Sequence, residues 1–145
     1  MRALVQRSKA SSVSVDDNVV GSIDKGLVLL VGFTHTDDSN DIDYMINKIL
    51  KLRIFDDENG VMNKSVTDIN GSILSISQFT LYANSKKGNR PSYIDALGGD
   101  KAIKLYDEFN RKLKEHINVE TGIFGADMMV NITNDGPVTI LLESR

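Results

Sequence analysis

Apolar and polar side chains recur along the chain with the two periods that distinguish strands from helices. Near the start, the alternation over Arg2–Val15 predicts a strand with Ala3 and Val5 on one face. Arg7 falls on that same apolar face if the alternation is unbroken, and a bulge around Ser11-Ser12 is the alternative that turns it outward. Either way, the chain opens with a strand that buries one face.

Turn-forming residues then separate further strands from two helices. The predicted strands are Val19–Ile23, Leu27–Phe33, Ser72–Leu81, Val119–Ile123, Met128–Ile132 and Val138–Leu142. The first helix has an apolar stripe at every third or fourth position, made of Ile42, Met45, Ile46, Ile49 and Leu50. The second helix is predicted from about Asp100, as its N-cap, to about Ile117, and its stripe consists of Ala102, Leu105, Tyr106, Phe109 and Leu113.

The order of these elements is ββ-βα-βα-βββ, and no internal repeat or interdomain linker interrupts it. A chain of 145 residues is typical of one domain. Strands that alternate with single helices favour the α/β (mixed α+β) class, in which the helices cover one face of a mixed sheet. Residues 1–145 are therefore predicted to form a single domain.

One of the two prolines of the chain, Pro137, lies between two predicted strands. Proline has no N–H to donate within a sheet, and Asp and Gly supply the backbone angles of tight turns. Asn134-Asp135-Gly136-Pro137 is therefore predicted to be the turn of a hairpin between Met128–Ile132 and Val138–Leu142. The Gly136–Pro137 bond is a place where a cis peptide is tolerated, although trans is the commoner form.

Composition and charge exclude several classes of function. The chain has no cysteine, which excludes disulfides, thiolate zinc sites and cysteine nucleophiles. Its formal net charge of -3 means that any contact with nucleic acid has to be local, because attraction through the global field needs a basic protein. No apolar run is long enough to span a bilayer, and the first residues lack the apolar core of a secretory signal. We therefore expect a cytoplasmic protein.

The histidines and acidic runs show no metal-binding pattern. His116 ends the second helix, where a cation is favourable, and His35 lies in a polar loop. Neither has Asp, Glu or His neighbours at ligand spacing, so no metal site is predicted. The acidic run Asp56–Gly60 lacks the spacing of a calcium-binding loop and is interpreted as a solvated turn.

Two polar clusters carry the candidate chemistry. The first is Ser77-Gln78-Phe79-Thr80, where side chains can orient a carbonyl and backbone N–H groups at a strand end can bind an oxyanion. From the residues alone, a strand that runs out into a polar loop is the favoured alternative. The second cluster is Lys86, Lys87 and Arg90, which either binds phosphate or forms an ordinary solvated loop.

Several segments together resemble the D-aminoacyl-tRNA deacylase (D-tyrosyl-tRNA deacylase) family. They are MRALVQR at Met1–Arg7, KLRIFDDENG at Lys51–Gly60, SQFTL at Ser77–Leu81, KGNRPSY at Lys87–Tyr93, TGIFGADM at Thr121–Met128 and NDGPVT at Asn134–Thr139. They occur in the order found in the family and cover essentially the whole chain. SQFTL and NDGPVT at this spacing are the most specific pair.

The resemblance implies an enzyme that hydrolyses the ester between a D-amino acid and the 3′-terminal ribose of tRNA, and that also clears glycine from mischarged tRNA. It implies a homodimer of three-layer α/β/β subunits, with an active site at each end of the subunit interface and with no cofactor or metal. The implied partners are the 3′-terminal adenosine and the acceptor stem of aminoacyl-tRNA, and neither DNA nor a membrane is expected.

The resemblance also assigns a chiral gate. It implies that the Gly136–Pro137 bond is cis and enters the pocket of the partner subunit, where rigid main-chain carbonyls exclude the side chain of an L-amino acid. Arg7 corresponds to the arginine that braces this loop, a role that suits a guanidinium donating to carbonyls.

The remaining site residues follow from the same resemblance. The catalytic strand corresponds to Ser77, Gln78, Phe79 and Thr80. Backbone N–H groups and the 2′-OH of the tRNA are expected to assist the attacking water, so Thr80 is assigned a site role with a nucleophilic role as the alternative. The residues implied to line the pocket are Phe124, Gly125 and Met128, and those implied to meet acceptor-stem phosphates are Lys86, Lys87 and Arg90.

Two positions depart from the family pattern. Ser8 stands where an aliphatic residue is usual, and Gly98-Gly99 stands where a proline often precedes the second helix. Both lie outside the most specific motifs, so they bear on local packing. Two other functions stay open at this point: an editing module of a synthetase, against which the lack of a linker argues, and a non-catalytic RNA- or partner-binding dimer of the same fold.

Overall fold

The computed structural model describes all 145 residues, which form ten strands, two α-helices and one short 3₁₀ helix. The strands are β1 Arg2–Ser8, β2 Ser11–Val15, β3 Asn18–Ile23, β4 Gly26–Gly32, β5 Phe55–Asp56, β6 Met62–Lys64, β7 Ser72–Ser77, β8 Val119–Thr121, β9 Met129–Asn131 and β10 Asn134–Glu143. The helices are α1 Ser39–Lys51 and α2 Gly99–Lys114, and the 3₁₀ helix is Phe79–Tyr82. Neither α-helix combines the length and the apolar content that crossing a bilayer requires.

The strands form two principal sheets with both helices on one side. A five-stranded sheet has the order β10-β1-β4-β7-β8, and its β4–β7 and β7–β8 pairs are parallel. A three-stranded antiparallel sheet has the order β3-β2-β9, and β5 and β6 form a separate hairpin. The larger core lies between the five-stranded sheet and the helices, and the smaller one lies between the two sheets. These three layers, α/β/β, confirm the predicted mixed α/β class.

Helix α1 begins where a capping box satisfies its first N–H groups. The Asp38 carboxylate accepts the Asn40 N–H at 2.8 Å, while the Asp41 carboxylate accepts the Asp38 N–H at 2.9 Å. The predicted apolar stripe packs into the larger core, where Ile49 is fully buried. Arg145 pairs with Asp41 at 2.7 Å and holds the pKa of that carboxyl well below its usual range, against the opposing effect of burial.

Helix α2 buries the predicted stripe but has different ends. The predicted N-cap Asp100 is wrong, because the helix begins at Gly99 with Gly98 as its N-cap and without a side-chain cap. Asp100 lies in the first turn instead, where a negative charge is favourable. The helix ends at Lys114 rather than near Ile117.

The first predicted strand is two strands that belong to different sheets. β1 ends at Ser8 and β2 begins at Ser11, and the chain crosses from the five-stranded to the three-stranded sheet between them. The pairing of β1 with β4 is unbroken from Arg2 to Ser8. Arg7 therefore keeps the face that unbroken alternation predicts, and its side chain is only 12% exposed.

The predicted hairpin turn at Asn134-Asp135-Gly136-Pro137 is wrong, because its two arms lie in different sheets. β9 pairs with β2 in the three-stranded sheet, whereas β10 pairs with β1 at the edge of the five-stranded sheet. The four residues begin β10 and do not form a turn. Proline is tolerated there because an edge strand has one side without a partner.

The strand predicted over Ser72–Leu81 is shorter than expected. β7 ends at Ser77, and Gln78, with φ -146° and ψ 81°, leads into the 3₁₀ helix Phe79–Tyr82. The neighbouring strand β4 ends at Gly32, so pairing with it cannot continue. A Cβ at Gly32 would lie 2.7 Å from the Gln78 carbonyl oxygen, so glycine allows the turn to cross close to β4.

The turn between β5 and β6 contains Asp57–Gly60 of the acidic run, whereas Asp56 ends β5, and the pattern did not predict this hairpin. The Asp57 carboxylate accepts hydrogen bonds from the Asn63 side chain and from the N–H groups of Asn59 and Val61. These bonds, the Asn63 bond above all, lower the pKa of Asp57. The Asp57 carboxylate therefore stabilises the hairpin itself.

Candidate active site

A cleft of about 310 Å³ opens at the carboxyl end of β7, beside the smaller core. It is lined by six of the residues singled out from the sequence, which are Ser77, Gln78, Phe79, Phe124, Gly125 and Met128. The other four lining residues, which sequence reasoning missed, are Ile76, Ala126, Asp127 and Val130. Two segments far apart in the chain thus meet in one cavity.

Strand β7 carries the first segment to the cleft. Parallel pairing sets Ser77 beside Val31, and the Gln78 N–H donates to the Val31 carbonyl at 2.7 Å, which is the last bond of this ladder. Ile76 belongs to the smaller core, so the face of β7 that carries it points toward the three-stranded sheet. The next residue on that face is Gln78, which therefore lies at the open end between the two sheets.

The second segment follows β8 and packs against α2. The Phe124 ring lies with its centroid 5.7 Å from that of Tyr106 on α2. Burial raises the pKa of Tyr106, whose neutral hydroxyl donates to the Ser75 carbonyl at 2.8 Å. The wall of the cleft that contains Phe124 is therefore tied through α2 to the strand that forms the opposite wall.

The 3₁₀ helix starts at Phe79, which lines the cleft, and it leaves two backbone N–H groups without an acceptor at that end. The N–H groups of Phe79 and Thr80 begin this helix, so no carbonyl within it can accept from them. The Gln78 side-chain amide donates to Thr80 Oγ1, and Thr80 itself does not line the cleft. At the other end of the helix, Arg2 Nη1 donates to the Leu81 carbonyl at 2.8 Å.

Sequence reasoning missed Arg2, which anchors the 3₁₀ helix. Its guanidinium carbon lies 4.5 Å from the centroid of the Tyr82 ring, and its Nε pairs with Glu143 at 2.7 Å. Burial raises the pKa of Tyr82 to about 12, so the phenol stays neutral. A single arginine on the partly exposed face of a strand carries no pattern from which this contact follows.

The cleft holds few groups that can exchange a proton. Asp127 is its one ionisable lining residue, and it is exposed. His35 Nε2 lies 2.8 Å from the Ile94 carbonyl, and His116 lies in a groove between α1 and α2. Ser77 therefore has no histidine partner, and the geometry of a base-activated serine nucleophile is not assembled here.

Gly136 and Pro137 lie on a bulge of the edge strand β10. Between Gln6 and Ser8, β1 has only Arg7, whereas β10 has residues 135–138 opposite it. Both bulge residues are exposed, and the peptide bond between them is cis. Gly136 has a φ of 125°, a conformation that L side chains rarely adopt.

Arg7 lies beneath the bulge and connects it to the β5–β6 hairpin. Its Nε donates to the Asp135 carbonyl at 3.0 Å, and its Nη1 donates to the Ile54 carbonyl at 2.8 Å. The carboxylates of Asp135 and Asp56 lie 3.5 and 3.7 Å from the guanidinium. The fork of the guanidinium thus joins two carbonyls from different elements.

Asn134 closes the base of the bulge. Its Oδ1 accepts the Val138 N–H at 3.0 Å, and its Nδ2 donates to Thr139 Oγ1 at 2.8 Å. Gln6 of β1 also reaches Thr139 Oγ1, at 3.2 Å. Asn134 and Thr139 begin and end the NDGPVT motif, but sequence reasoning gave Asn134 to a turn and assigned no role to Thr139.

The bulge and the cleft of one chain lie at opposite ends of the five-stranded sheet. Arg7 pairs with Leu27, and Leu27 pairs with Ile73 near the start of β7, whereas the cleft lies past its end at Ser77. The two sites are about four residues apart along the strands, at ~3.3 Å each, and three strands apart across the sheet, at ~4.8 Å each. Since these two displacements are at right angles, the separation is on the order of 20 Å. Gly136, Pro137 and Arg7 therefore do not join the cleft of their own chain.

The basic residues lie on an exposed loop beside the 3₁₀ helix. Two hydrogen bonds between Asn84 and Ser92, at 2.8 and 2.9 Å, close this loop. Lys86, Lys87 and Arg90 all lie within it, are exposed, and form no salt bridge in the structure. Three cations without carboxylate partners are thus available to an anionic ligand.

Comparisons with known proteins agree over almost the full length. The family model described as D-Tyr-tRNA(Tyr) deacylase matches residues 4–143. Proteins named D-aminoacyl-tRNA deacylase from Clostridium novyi and Clostridium acetobutylicum are 56% and 55% identical, over 100% of this chain and 98% of each relative.

Solved structures share the fold. The c-Myc DNA Unwinding Element Binding Protein has a TM-score of 0.95 at 40% identity, and the alignment covers 100% of this chain and 99% of that one. A probable eukaryotic D-amino acid tRNA deacylase has a TM-score of 0.84 over 97% of both chains, and its 17% identity makes this a likeness of fold alone. Since the family model spans nearly every residue and the curated relatives exceed half identity, the chain belongs to the D-Tyr-tRNA(Tyr) deacylase family.

Proposed function

We propose that the protein hydrolyses the ester that joins a D-amino acid to the 3′-terminal ribose of tRNA and releases the free amino acid and tRNA. Membership of a deacylase family makes it a hydrolase of carboxylic esters. The observation that carries the proposal is the cleft at the end of β7, which gathers Ser77, Gln78 and Phe79 from one segment and Phe124 and Met128 from another. The cytoplasm, where tRNA is charged, is the proposed location.

Hydrolysis requires water to attack the carbonyl carbon and the ribose oxygen to leave. We assign the developing oxyanion to the N–H groups of Phe79 and Thr80, which have no acceptor within their helix. The attacking water loses a proton, and the leaving 3′ oxygen of the ribose gains one. The neighbouring 2′-OH of the same ribose is proposed to pass the proton from the water to the leaving oxygen. The lack of an acid–base pair in the cleft supports this route. The hydrogen bond from Gln78 to Thr80 Oγ1 supports a shaping role for Thr80.

A homodimer is part of this proposal, because the bulge cannot reach the cleft of its own chain. The three-stranded sheet packs against one face of the five-stranded sheet, but only over β4 and β7. On that same face, the three-stranded sheet does not cover β1 and β10. That face is partly apolar: Leu141, which pairs with Leu4, is 49% exposed. A second copy, related by a twofold axis, would cover this face and bring each bulge to the cleft of the partner.

The bulge then acts as a chiral gate. Main-chain carbonyls at Gly136–Pro137 form a wall near the α-carbon of the bound amino acid. An L side chain collides with this wall, a D side chain points away from it, and glycine has no side chain to exclude. Mischarged glycyl-tRNA is therefore a second proposed substrate. Arg7 and Asn134 hold the wall through the hydrogen bonds described above.

The tRNA is proposed to bind through its 3′-terminal adenosine in the cleft and its acceptor-stem phosphates on Lys86, Lys87 and Arg90. Phosphate contacts carry no sequence information, so binding is not specific for one tRNA.

A salt titration tests these contacts. Replacing Lys86, Lys87 and Arg90 together by alanine is expected to reduce the magnitude of the slope of log affinity against log salt concentration by about 2 to 3. A matched control replaces three exposed lysines of α2 that also have no ion pair, which are Lys101, Lys104 and Lys114. Equal slopes for the two triple variants would contradict the assignment.

The central experiment compares hydrolysis of D-tyrosyl-tRNA and L-tyrosyl-tRNA by the purified protein after treatment with a chelator. We expect loss of the D ester while the L ester is spared. Hydrolysis of neither ester would favour a non-catalytic binding protein of the same fold. Equal hydrolysis of both would leave an esterase and remove the gate from the proposal.

A second experiment tests the dimer. Leu141→Glu places a charge on the uncovered face and is expected to shift the sedimentation mass to the monomer and to abolish D-ester hydrolysis. The control is Val61→Glu, since Val61 is 52% exposed on the β5–β6 hairpin. A Leu141→Glu variant that stays dimeric and active would show that the interface lies elsewhere.

A further inference from the structure

We propose that Phe79, Tyr93 and Ile94 form a stacking platform for the unpaired nucleotides that precede the 3′-terminal adenosine of tRNA. The inference rests on the proposed function, because it requires the terminal adenosine to occupy the cleft. It adds a subsite that binds base faces, distinct from the phosphate contacts of the basic loop.

The platform is apolar surface that no other element covers. Phe79, Tyr93 and Ile94 are 52%, 45% and 76% exposed. The two rings meet edge to face, with their centroids 5.1 Å apart and an interplanar angle of 70°. In such a pair, the outward face of one ring stays free for a further planar group.

The platform is held rigidly although it is exposed. His35 Nε2 lies 2.8 Å from the Ile94 carbonyl, and Thr34 Oγ1 donates to the Asp95 carbonyl at 2.6 Å. Both partners lie on the connection between β4 and α1, so residues 92–97 are tied to the main body of the domain. A preorganised surface loses little conformational entropy when a ligand binds. The fold therefore fixes the backbone that carries Tyr93 and Ile94 while it leaves their side chains exposed.

Position and charge identify the ligand. Phe79 belongs to both the cleft and the platform, so a chain whose last unit fills the cleft continues onto the platform. Lys86, Lys87 and Arg90 lie on the loop that immediately precedes Tyr93 and have no carboxylate partners. Single-stranded nucleic acid presents bases and phosphates together, and its binding proteins combine aromatic platforms with a basic track. A duplex hides its base faces by stacking, which excludes it from this surface.

The direct test uses two ligands that end in the same adenosine but differ in length: adenosine itself and the RNA trinucleotide CCA. We expect Tyr93→Ala to weaken binding of the trinucleotide about 5- to 100-fold and to leave adenosine binding unchanged. Tyr93→Phe keeps the ring and is expected to bind like the wild type. Tyr44→Ala is the matched control, because Tyr44 is also 45% exposed but lies on α1.

Turnover gives a second readout. Tyr93→Ala is expected to raise KM for D-tyrosyl-tRNA while kcat, and hydrolysis of D-tyrosyl-adenosine, stay at wild-type values. Equal losses on both substrates, or trinucleotide binding equal to that of Tyr44→Ala, would overturn the platform. A shift of Tyr93→Ala to the monomer in sedimentation would also overturn it, since the patch would then be a contact between subunits.

The two proposals fail in different ways. If the wild type does not hydrolyse D-tyrosyl-tRNA, the proposed function is wrong. If it does, and the Tyr93 variants bind and act like the wild type, the deacylase proposal stands and the platform is wrong.

Discussion

Replacing Arg7 by lysine tests whether a guanidinium is required to hold the β10 bulge. In the wild type, Nε and Nη1 donate to the carbonyls of Asp135 and Ile54 at 3.0 and 2.8 Å. Lysine keeps the charge, but its compact ammonium cannot match two carbonyls on different elements with the geometry of a fork. Arg7→Lys is therefore expected to lose one of the two bonds.

The size of the effect follows from the burial of the site. The Arg7 side chain is 12% exposed and Ile54 is 5% exposed, so water cannot readily replace the lost donor. Losing a hydrogen bond from a charged donor under these conditions costs about 1.5–3 kcal/mol. With an m-value of about 2 kcal/mol per M in urea, the unfolding midpoint falls by about 1 M. Arg7→Ala removes both bonds, and we expect a larger fall.

The assay is urea unfolding at one fixed protein concentration, because the proposed dimer would make the unfolding midpoint depend on concentration. Arg53→Lys is the control: Arg53 donates to the Asn63 carbonyl and side chain at 3.1 and 2.6 Å, but it is exposed. We expect a change within about 0.5 kcal/mol for this control. Hydrolysis of L-tyrosyl-tRNA, measured in parallel, is expected to rise for Arg7→Lys. Unfolding that matches Arg53→Lys, with the L ester still spared, would refute the reasoning.

Three further predictions rest on other contacts. Ser8 is 1% exposed and its hydroxyl has no hydrogen-bond partner, so Ser8→Ala is expected to raise the free energy of unfolding by about 1 kcal/mol; a lower urea midpoint would contradict this. The Arg145 guanidinium lowers the pKa of Asp41, so the ionised pair stabilises the fold above the unfolded pKa of about 3.9 and this contribution is lost as the pH falls below it. The difference in unfolding free energy between wild type and Arg145→Ala should thus be constant above about pH 5 and shrink toward pH 2, and a difference independent of pH would exclude the pair as its source. Gly136 has a φ of 125°, and a Cβ there would lie 3.0 Å from a guanidinium nitrogen of Arg7. Gly136→Ala should therefore lower both the urea midpoint of unfolding and the preference for the D ester over the L ester. The control is Gly60→Ala, because Gly60 also has a positive φ of 73° but has open space around it; this variant should keep the preference.

Periodicity predicted the core because it reports which face of an element is buried. Ile49 and Phe109 were placed on the apolar stripes of the two helices, and both are fully buried. Periodicity does not report which sheet receives a strand. The strands β1 and β2 continue one alternating pattern across Ser8 and Ser11, yet they belong to different sheets. The hairpin predicted around Pro137 failed for the same reason.

The candidate site was predictable only through its motifs. The residues alone favoured a plain strand end for the SQFT segment, since alternation continues through Phe79 although pairing with β4 ends at Ser77. Contacts that join distant segments also left no local signal. Arg2 reaches the Leu81 carbonyl across the sheet, and Arg7 reaches that of Ile54. These contacts depend on the order of the strands, which the pattern does not encode.

The position of β1 between β4 and β10 has a consequence for synthesis of the chain. Arg2 pairs with Gly32 on one side and with Glu143 on the other, so one edge of β1 is paired early and the other only by β10, which is made after the nine other strands described above. Until then, the nascent chain carries an open sheet edge, which is a template for pairing with other chains. Pairing across nearly the whole sequence also slows folding, because it requires closure of a very long loop. A ribosome that stops before β10 is therefore expected to release a product that retains the cleft segments but aggregates through β1.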